Sequence, residues 1–307
     1  MEAIKNRIAK NYKHRKKWAR KQNIEAYRIY DREIPEYPYM VDIYGEYAVI
    51  FDRTNKKIDA DKAHHYDHLV EALKSVLEIE DDKIITKRRE VQKGIDQYKK
   101  LDRSMNTIVV KENQASFIIN LHDYLDMGLF LDHRPIRQKI HAQAAGKSVL
   151  NLFSYTSSIS VFAALGGAKT TSVDMSKTYL AWSQENFEEN GIELDNHQFV
   201  NASVLDYLAE RVSDKYDLIF LDPPTFSNSK KMENTFDVER DQDILIKGCM
   251  KRLNDGGVLY FSNNKRDFKL SEKTKENYLV KDISYASIPD DFKDKKIHVC
   301  FEIKHKI

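Results

Sequence analysis

Two adjacent prolines directly behind an apolar run restrict this chain more than any other feature. Tyr216 to Leu221 (YDLIFL) reads as a buried strand, because strands covered on both faces of a parallel sheet are almost continuously apolar. Pro223 and Pro224 can neither continue a strand nor enter a helix interior, so the chain must turn at Asp222. A carboxylate is thereby held at a strand's C-terminal end, the edge of an open α/β sheet where ligands bind.

From Gly146 onward strand and helix patterns alternate, which predicts a parallel sheet with crossover helices. Strands are expected at Ser148 to Phe153, Thr170 to Val173, Gln198 to Asn201, Tyr216 to Leu221 and Val258 to Phe261. Helices are expected at Ser158 to Leu165, at Ser176 to Asn190 between a serine cap and Gly191, and at Val238 to Leu253 before Gly256 and Gly257. Late strands around Ile283 to Ala286 and Ile297 to Ile303 would bring the sheet to seven. Residues 132–307 are thus expected to form a Rossmann-like α/β domain.

Ahead of it, residues 39–131 read as a smaller α+β substrate-binding domain. Met40 to Phe51 is broken by the hairpin signal Tyr44-Gly45-Glu46, and a helix is expected at Ala60 to Leu77. Ile84 to Arg88, Thr107 to Lys111 and Ala115 to Asn120 are further strands, with a cationic loop from Arg88 to Arg103. Residues 1–38 read as a basic helical arm and a connector made extended by Pro35 and Pro38. Lys13, Lys16, Lys17 and Arg20 on that arm suit phosphate neutralisation, with aromatic residues interleaved for stacking; a merely solvated basic helix is the competing reading.

The chain has a net charge of +2, and no apolar run approaches the roughly 18 residues a membrane span requires. No apolar stretch follows the charged N-terminus, so a cytoplasmic location is expected. Cys249 and Cys300 form no Cys-x-x-Cys pair, which argues against a zinc site or a disulfide framework. His64 and His68 share a helical face at ligand spacing, but no glutamate lies between them as in a zinc hydrolase, and no metal is expected.

The turn Phe153-Ser154-Tyr155-Thr156-Ser157 follows the first strand of the alternating region, and Asp174 follows Ser154 by twenty positions. An acidic residue there accepts hydrogen bonds from ribose hydroxyls. A dinucleotide needs glycines where its pyrophosphate presses on backbone, and this turn has none. A nucleoside without phosphate, such as S-adenosylmethionine, tolerates it.

An acidic residue before Pro-Pro and an aromatic resembles the fourth motif of S-adenosylmethionine-dependent methyltransferases acting on nitrogen or nucleobases. Five ordered stretches sharpen the likeness: Gly128 to Arg134 (GLFLDHR), Asn151 to Thr156 (NLFSYT), Val173 to Ser176 (VDMS), Asp222 to Lys230 (DPPTFSNSK) and Phe261 to Arg266 (FSNNKR). Together they resemble the RlmK-type guanine-N7 methyltransferases of bacterial 23S ribosomal RNA, one half of the RlmK/L enzymes; the RNA-binding RlmL half has no counterpart in these residues. The resemblance implies S-adenosylmethionine as cofactor, held by Asp132, Arg134, Phe153, Ser154, Tyr155, Thr156, Asp174, Met175, Ser176, Ser203 and Asp222. It implies Asp222, Pro223, Pro224 and Phe226 at the reacting centre, and Asn228, Lys230 and Lys231 on the RNA. Ser157 stands where the family usually has glycine and would be strained if that position needs φ > 0; Ser203 stands where the family usually has aspartate.

The partner expected is 23S rRNA or a large-subunit assembly intermediate. Cytosine C5 chemistry is disfavoured, since it needs a cysteine nucleophile and neither cysteine is suitably placed. A non-catalytic RNA-binding or assembly factor on a decayed methyltransferase fold, and transfer to another base position, are the competing readings.

Overall fold

The computed structural model describes residues 1–52, 63–88, 107–124, 126–227 and 236–306. It divides into two compact units, Met1–Leu131 with Asp290–Lys293, and Asp132–Pro289 with Asp294–Ile307.

The first unit opens with helix α1 (Glu2–Gln22), which ends where Asn23 turns left-handed at φ 54°. Strands β1 (Ala26–Asp31), β2 (Tyr39–Tyr44) and β3 (Tyr47–Asp52) follow, then α2 (Ala63–Leu77) and β4 (Ile84–Arg88). They form a sheet in the order β1-β2-β3-β4, and β5 (Thr107–Glu112) pairs with β6 (Ala115–Asn120) as a separate hairpin.

Here the structure departs from an appended helical arm. Ile4 and Ile8 of α1 are fully buried in one cluster with Tyr30, Val41 and Leu73, and Ala26–Asp31 is a strand rather than a continuation of the helix. The segment around Pro35 is a tight turn, closed by a Tyr37 N to Ile34 O bond of 2.9 Å. Tyr30 pins it: its hydroxyl accepts from Ile34 N and donates to Tyr37 O. The apolar residues on α1 need a partner surface, and β1 and α2 supply it. Arg28 and Asp42 form a buried two-point ion pair at 2.7 and 3.0 Å, and Asp291 accepts from Arg28 N at 2.9 Å. The cationic loop expected from Arg88 to Arg103 lies almost wholly outside the described residues.

The second unit runs α3 (Arg134–Gln143), β7 (Ser148–Leu152), α4 (Ser158–Leu165), β8 (Lys169–Asp174), α5 (Lys177–Glu189), β9 (His197–Asn201), α6 (Val204–Ala209) and β10 (Tyr216–Leu221). A two-stranded ribbon, β11 (Phe226–Ser227) with β12 (Phe236–Asp237), precedes α7 (Val238–Arg252) and β13 (Leu253–Asn263). Helix α8 (Glu272–Asn277), β14 (Tyr278–Asp282), α9 (Ser284–Ser287) and β15 (Val299–His305) complete it. The seven strands lie in the order β14-β15-β13-β10-β7-β8-β9. Both faces are covered: Leu150, Ile219, Leu259 and Leu245 share one core, and Val149, Leu218, Tyr260 and Ile140 the other.

Two expectations are corrected. Ile283 to Ala286 is not a strand; Asp282 accepts from Ser284 N at 2.8 Å and turns the chain into α9, while Tyr278–Asp282 pairs with β15 instead. Gly256 and Gly257 do not separate α7 from β13 but lie inside that strand at a register shift opposite Tyr216 and Leu218. A Cβ on Gly257 would stand 2.8 Å from Asp217 O, so the bulge brings backbones closer than any side chain permits.

Candidate active site

The strand order reverses between β7 and β10, so the turns leaving these neighbouring strands flank the crevice of the sheet. After β7, Phe153, Tyr155 and Ser157 all take left-handed backbone angles, φ 57°, 51° and 59°. Each costs on the order of 1 kcal/mol for a residue with a Cβ, so the surroundings must hold the turn. Tyr155 N donates to Asp174 Oδ2 at 3.0 Å and Asn186 Nδ2 donates to Thr156 O at 3.0 Å. Ser157 Oγ donates to Ser183 Oγ at 2.8 Å. The glycine-like conformation foreseen for Ser157 is therefore present, with a hydroxyl contact that glycine lacks.

Asp174 ends β8. Its Oδ1 accepts from Ser176 N at 2.8 Å; burial raises its pKa above the ordinary carboxylate value, against these two backbone bonds. A carboxylate has about four acceptor positions, so capacity for ribose hydroxyls remains. Met175 is half-buried, and Ser176 caps α5 by accepting from Tyr179 N. Ser203 begins α6 without a side-chain capping bond. Ser154 Oγ and Asn263 Nδ2 are buried polar atoms with no hydrogen-bond partner. Orphaned groups of this kind at the sheet's ligand edge fit a polar nucleoside cofactor.

After β10, Leu221 is level with Leu152 on one side and Phe261 on the other, so Asp222 leaves the sheet between the β7 and β13 turns. Pro223 is buried and Pro224 exposed. Thr225 Oγ1 donates to Asn264 Oδ1 at 2.6 Å, tying this turn to the one after β13. Phe226 is 58% exposed and so takes no part in the core. Asn228, Lys230 and Lys231 lie outside the described residues. Arg134, 4% exposed, starts α3. In the first unit, Lys13, Lys16, Lys17 and Arg20 are all exposed on α1.

A buried group behind Asp222 escaped the sequence reading. Asp132, expected only as a cofactor contact, accepts from His298 Nδ1 at 2.8 Å; His298 Nε2 meets Ser287 Oγ at 2.8 Å. His133 lies with Nδ1 3.7 Å from Asp222 Oδ2 and Nε2 3.3 Å from Ser262 Oγ. Burial raises the Asp132 pKa, but His133 and the His298 hydrogen bond outweigh it and hold the carboxyl well below its usual range. Burial lowers the His133 pKa, against the pull of Asp222 and Asp132. GLFLDHR signalled Asp132 and His133 in sequence, whereas nothing marked His298, 166 positions from Asp132.

A doubly wound sheet with a glycine-free first turn, a carboxylate ending β8 and an Asp-Pro-Pro turn at the switch point defines a nucleoside-dependent group-transfer enzyme. The family model described as S-adenosylmethionine-dependent methyltransferase matches residues 95–301, and the chain belongs to that family. It is 47% identical to the ribosomal RNA large subunit methyltransferase K of Neisseria meningitidis, over 98% of this chain and 86% of that protein. It is 49% identical to the K/L enzyme of Psychromonas ingrahamii over 98% of this chain, but spans only 41% of that longer protein. Among solved structures, a methyltransferase in complex with SAH aligns with TM-score 0.77 at 27% identity, over 99% of this chain and 81% of that one. The RlmK-type likeness and the S-adenosylmethionine dependence expected from sequence are borne out. Among the described residues no helix is long and apolar enough to cross a membrane.

Proposed function

We propose that this methyltransferase modifies guanine N7 in 23S ribosomal RNA, free or within a large-subunit assembly intermediate, in the cytoplasm. The observation that carries the reading is the exposed Phe226 beside Asp222 at the switch point, in a chain whose near-full-length relative is named for large-subunit ribosomal RNA. S-adenosylmethionine supplies an electrophilic methyl group. Guanine N7 offers an in-plane lone pair and no proton, so the chain needs neither a general base nor a covalent nucleophile, and positioning does most of the work. Cys249 and Cys300 suit that chemistry by exclusion: both are buried, and burial pushes both thiols up, away from a reactive thiolate.

In this reading Asp174 receives the cofactor's ribose hydroxyls, with Phe153, Ser154, Tyr155, Thr156, Met175 and Ser176 forming the surrounding turns. Ser203 takes the adenine end and Arg134 the methionine carboxylate, with Asp132 behind it. Methylation leaves the guanine ring cationic, and the Asp222 carboxylate stabilises that charge as it develops. Pro223 and Pro224 fix its direction. Phe226 stacks on an extruded base, and Lys13, Lys16, Lys17, Arg20, Asn228, Lys230 and Lys231 meet the RNA. Residues 1–131, with the basic face of α1 on the same unit, then serve as the RNA-binding and substrate unit, and residues 132–307 as the catalytic domain.

The test is incubation of purified protein with labelled S-adenosylmethionine and unmodified 23S rRNA, followed by nucleoside analysis. Labelled 7-methylguanosine that disappears with Asp222→Ala supports the reading. A different labelled nucleoside overturns the N7 target, and the absence of label on rRNA and on assembly intermediates overturns the activity.

A further inference from the structure

We propose that His133 is a positioning residue that orients the Asp222 carboxylate, with Asp132 and His298 holding the His133 ring. The inference rests on the functional reading above, because it assigns Asp222 the developing charge.

The His133 ring is 7% exposed and is bounded by groups from several elements. It packs edge-on against Phe220, the penultimate residue of β10, with centroids 5.6 Å apart. It lies tilted against His298 at 4.8 Å, and Ser262 of β13 meets its Nε2. The titratable and charged groups facing it are Asp222 after β10, Asp132 beside it in sequence, His298 before β15 and Arg137 of α3. Asp132 and His298 are joined to each other, and His298 is braced by Ser287, so this side of the ring is a closed hydrogen-bonded wall.

Asp222 is the open side. At 3.7 Å the Nδ1 to Oδ2 contact is within ion-pair range but longer than a direct hydrogen bond, so the proposed donor role requires the two groups to draw together. A neutral ring with its proton on Nδ1 orients the carboxylate as a donor and leaves its charge in place. A protonated ring neutralises it, removing the charge that a cationic guanine needs. Burial makes the neutral ring the form present at neutral pH. The charge on Asp222 is thus masked only in acid, as the ring takes up its second proton.

The experiment pairs two readouts. In the first, His133 is followed by imidazole NMR in the wild type and in Asp222→Asn. Removing the neighbouring carboxylate should move the ring's titration to lower pH, and an unchanged titration would overturn the contact whether or not the RNA target is right. In the second, single-turnover methyl transfer is measured against pH for wild type, His133→Ala and His133→Asn. The asparagine amide sits where Nδ1 was and does not titrate. His133→Ala should lower the transfer rate tenfold or more with S-adenosylmethionine affinity within twofold; His133→Asn should recover most of that rate and lose the wild type's acid limb. Equal loss in both variants, or an acid limb kept by His133→Asn, defeats the proposal. A wild type that labels no guanine defeats the functional reading instead.

Discussion

The Ser157 hydroxyl donates to that of Ser183 across 2.8 Å while the Ser157 backbone sits in the left-handed region at φ 59°, ψ 33°. One residue thus carries both a conformational cost and the contact that offsets it. Ser157→Gly removes both and should change unfolding free energy by less than about 1 kcal/mol. Ser157→Ala keeps the strained Cβ and loses the bond, and should cost roughly 1–2 kcal/mol. Urea unfolding monitored by circular dichroism decides: if alanine is the milder change, strain and contact do not balance as described.

Asp132 gives a pH-dependent stability term. Its folded pKa is depressed, so its contribution is fully present above the unfolded value of about 4 and is lost as pH falls through the folded one. Asp132→Asn should therefore destabilise the second unit by about 1–3 kcal/mol at pH 6, with the gap to wild type narrowing in acid. Denaturation midpoints of both proteins from pH 6 to pH 3 would show it. A constant gap would mean that the carboxylate's charge contributes nothing.

Phe226→Ala should leave the melting temperature unchanged, since so exposed a ring stabilises little. Stacking on a base is worth about 1–3 kcal/mol, so methyl transfer should fall by roughly tenfold or more with S-adenosylmethionine affinity intact. A loss of thermal stability in place of transfer would assign the ring to packing.

Replacing Lys13, Lys16, Lys17 and Arg20 together by glutamine should weaken RNA binding at low salt and flatten its dependence on salt concentration. The slope should drop by about 0.7 for each single-strand phosphate that is no longer neutralised. Filter binding from 50 to 300 mM salt measures it, and an unchanged slope would leave these side chains in solvent.

Strands β7, β10 and β13 were legible because each carries an apolar run ended by a polar turn, and Tyr216–Leu221 falls on the expected residues. The first turn and Asp174 could be placed from spacing alone. What remained hidden depends on which partner, near or distant in sequence, takes up the backbone. Ala26–Asp31 alternates poorly and sits after a basic helix, yet it is a strand because β2 supplies its hydrogen bonds. Ile283 to Ala286 is apolar enough for a strand, but Asp282 accepts from Ser284 N first. The Asp132–His298 pair joins residues that only the closed sheet brings together.

The left-handed angles at Phe153, Tyr155 and Ser157 alternate with ordinary ones at Ser154 and Thr156. Tolerance to substitution in this stretch should accordingly have a comb-like profile. At the three odd positions β-branched residues are excluded by their own backbone, before any ligand is considered, whereas Thr156 already carries such a branch. Selection on cofactor binding therefore acts there on a reduced alphabet, and a variant library built evenly across the five positions would spend most of its diversity on chains unable to make the turn.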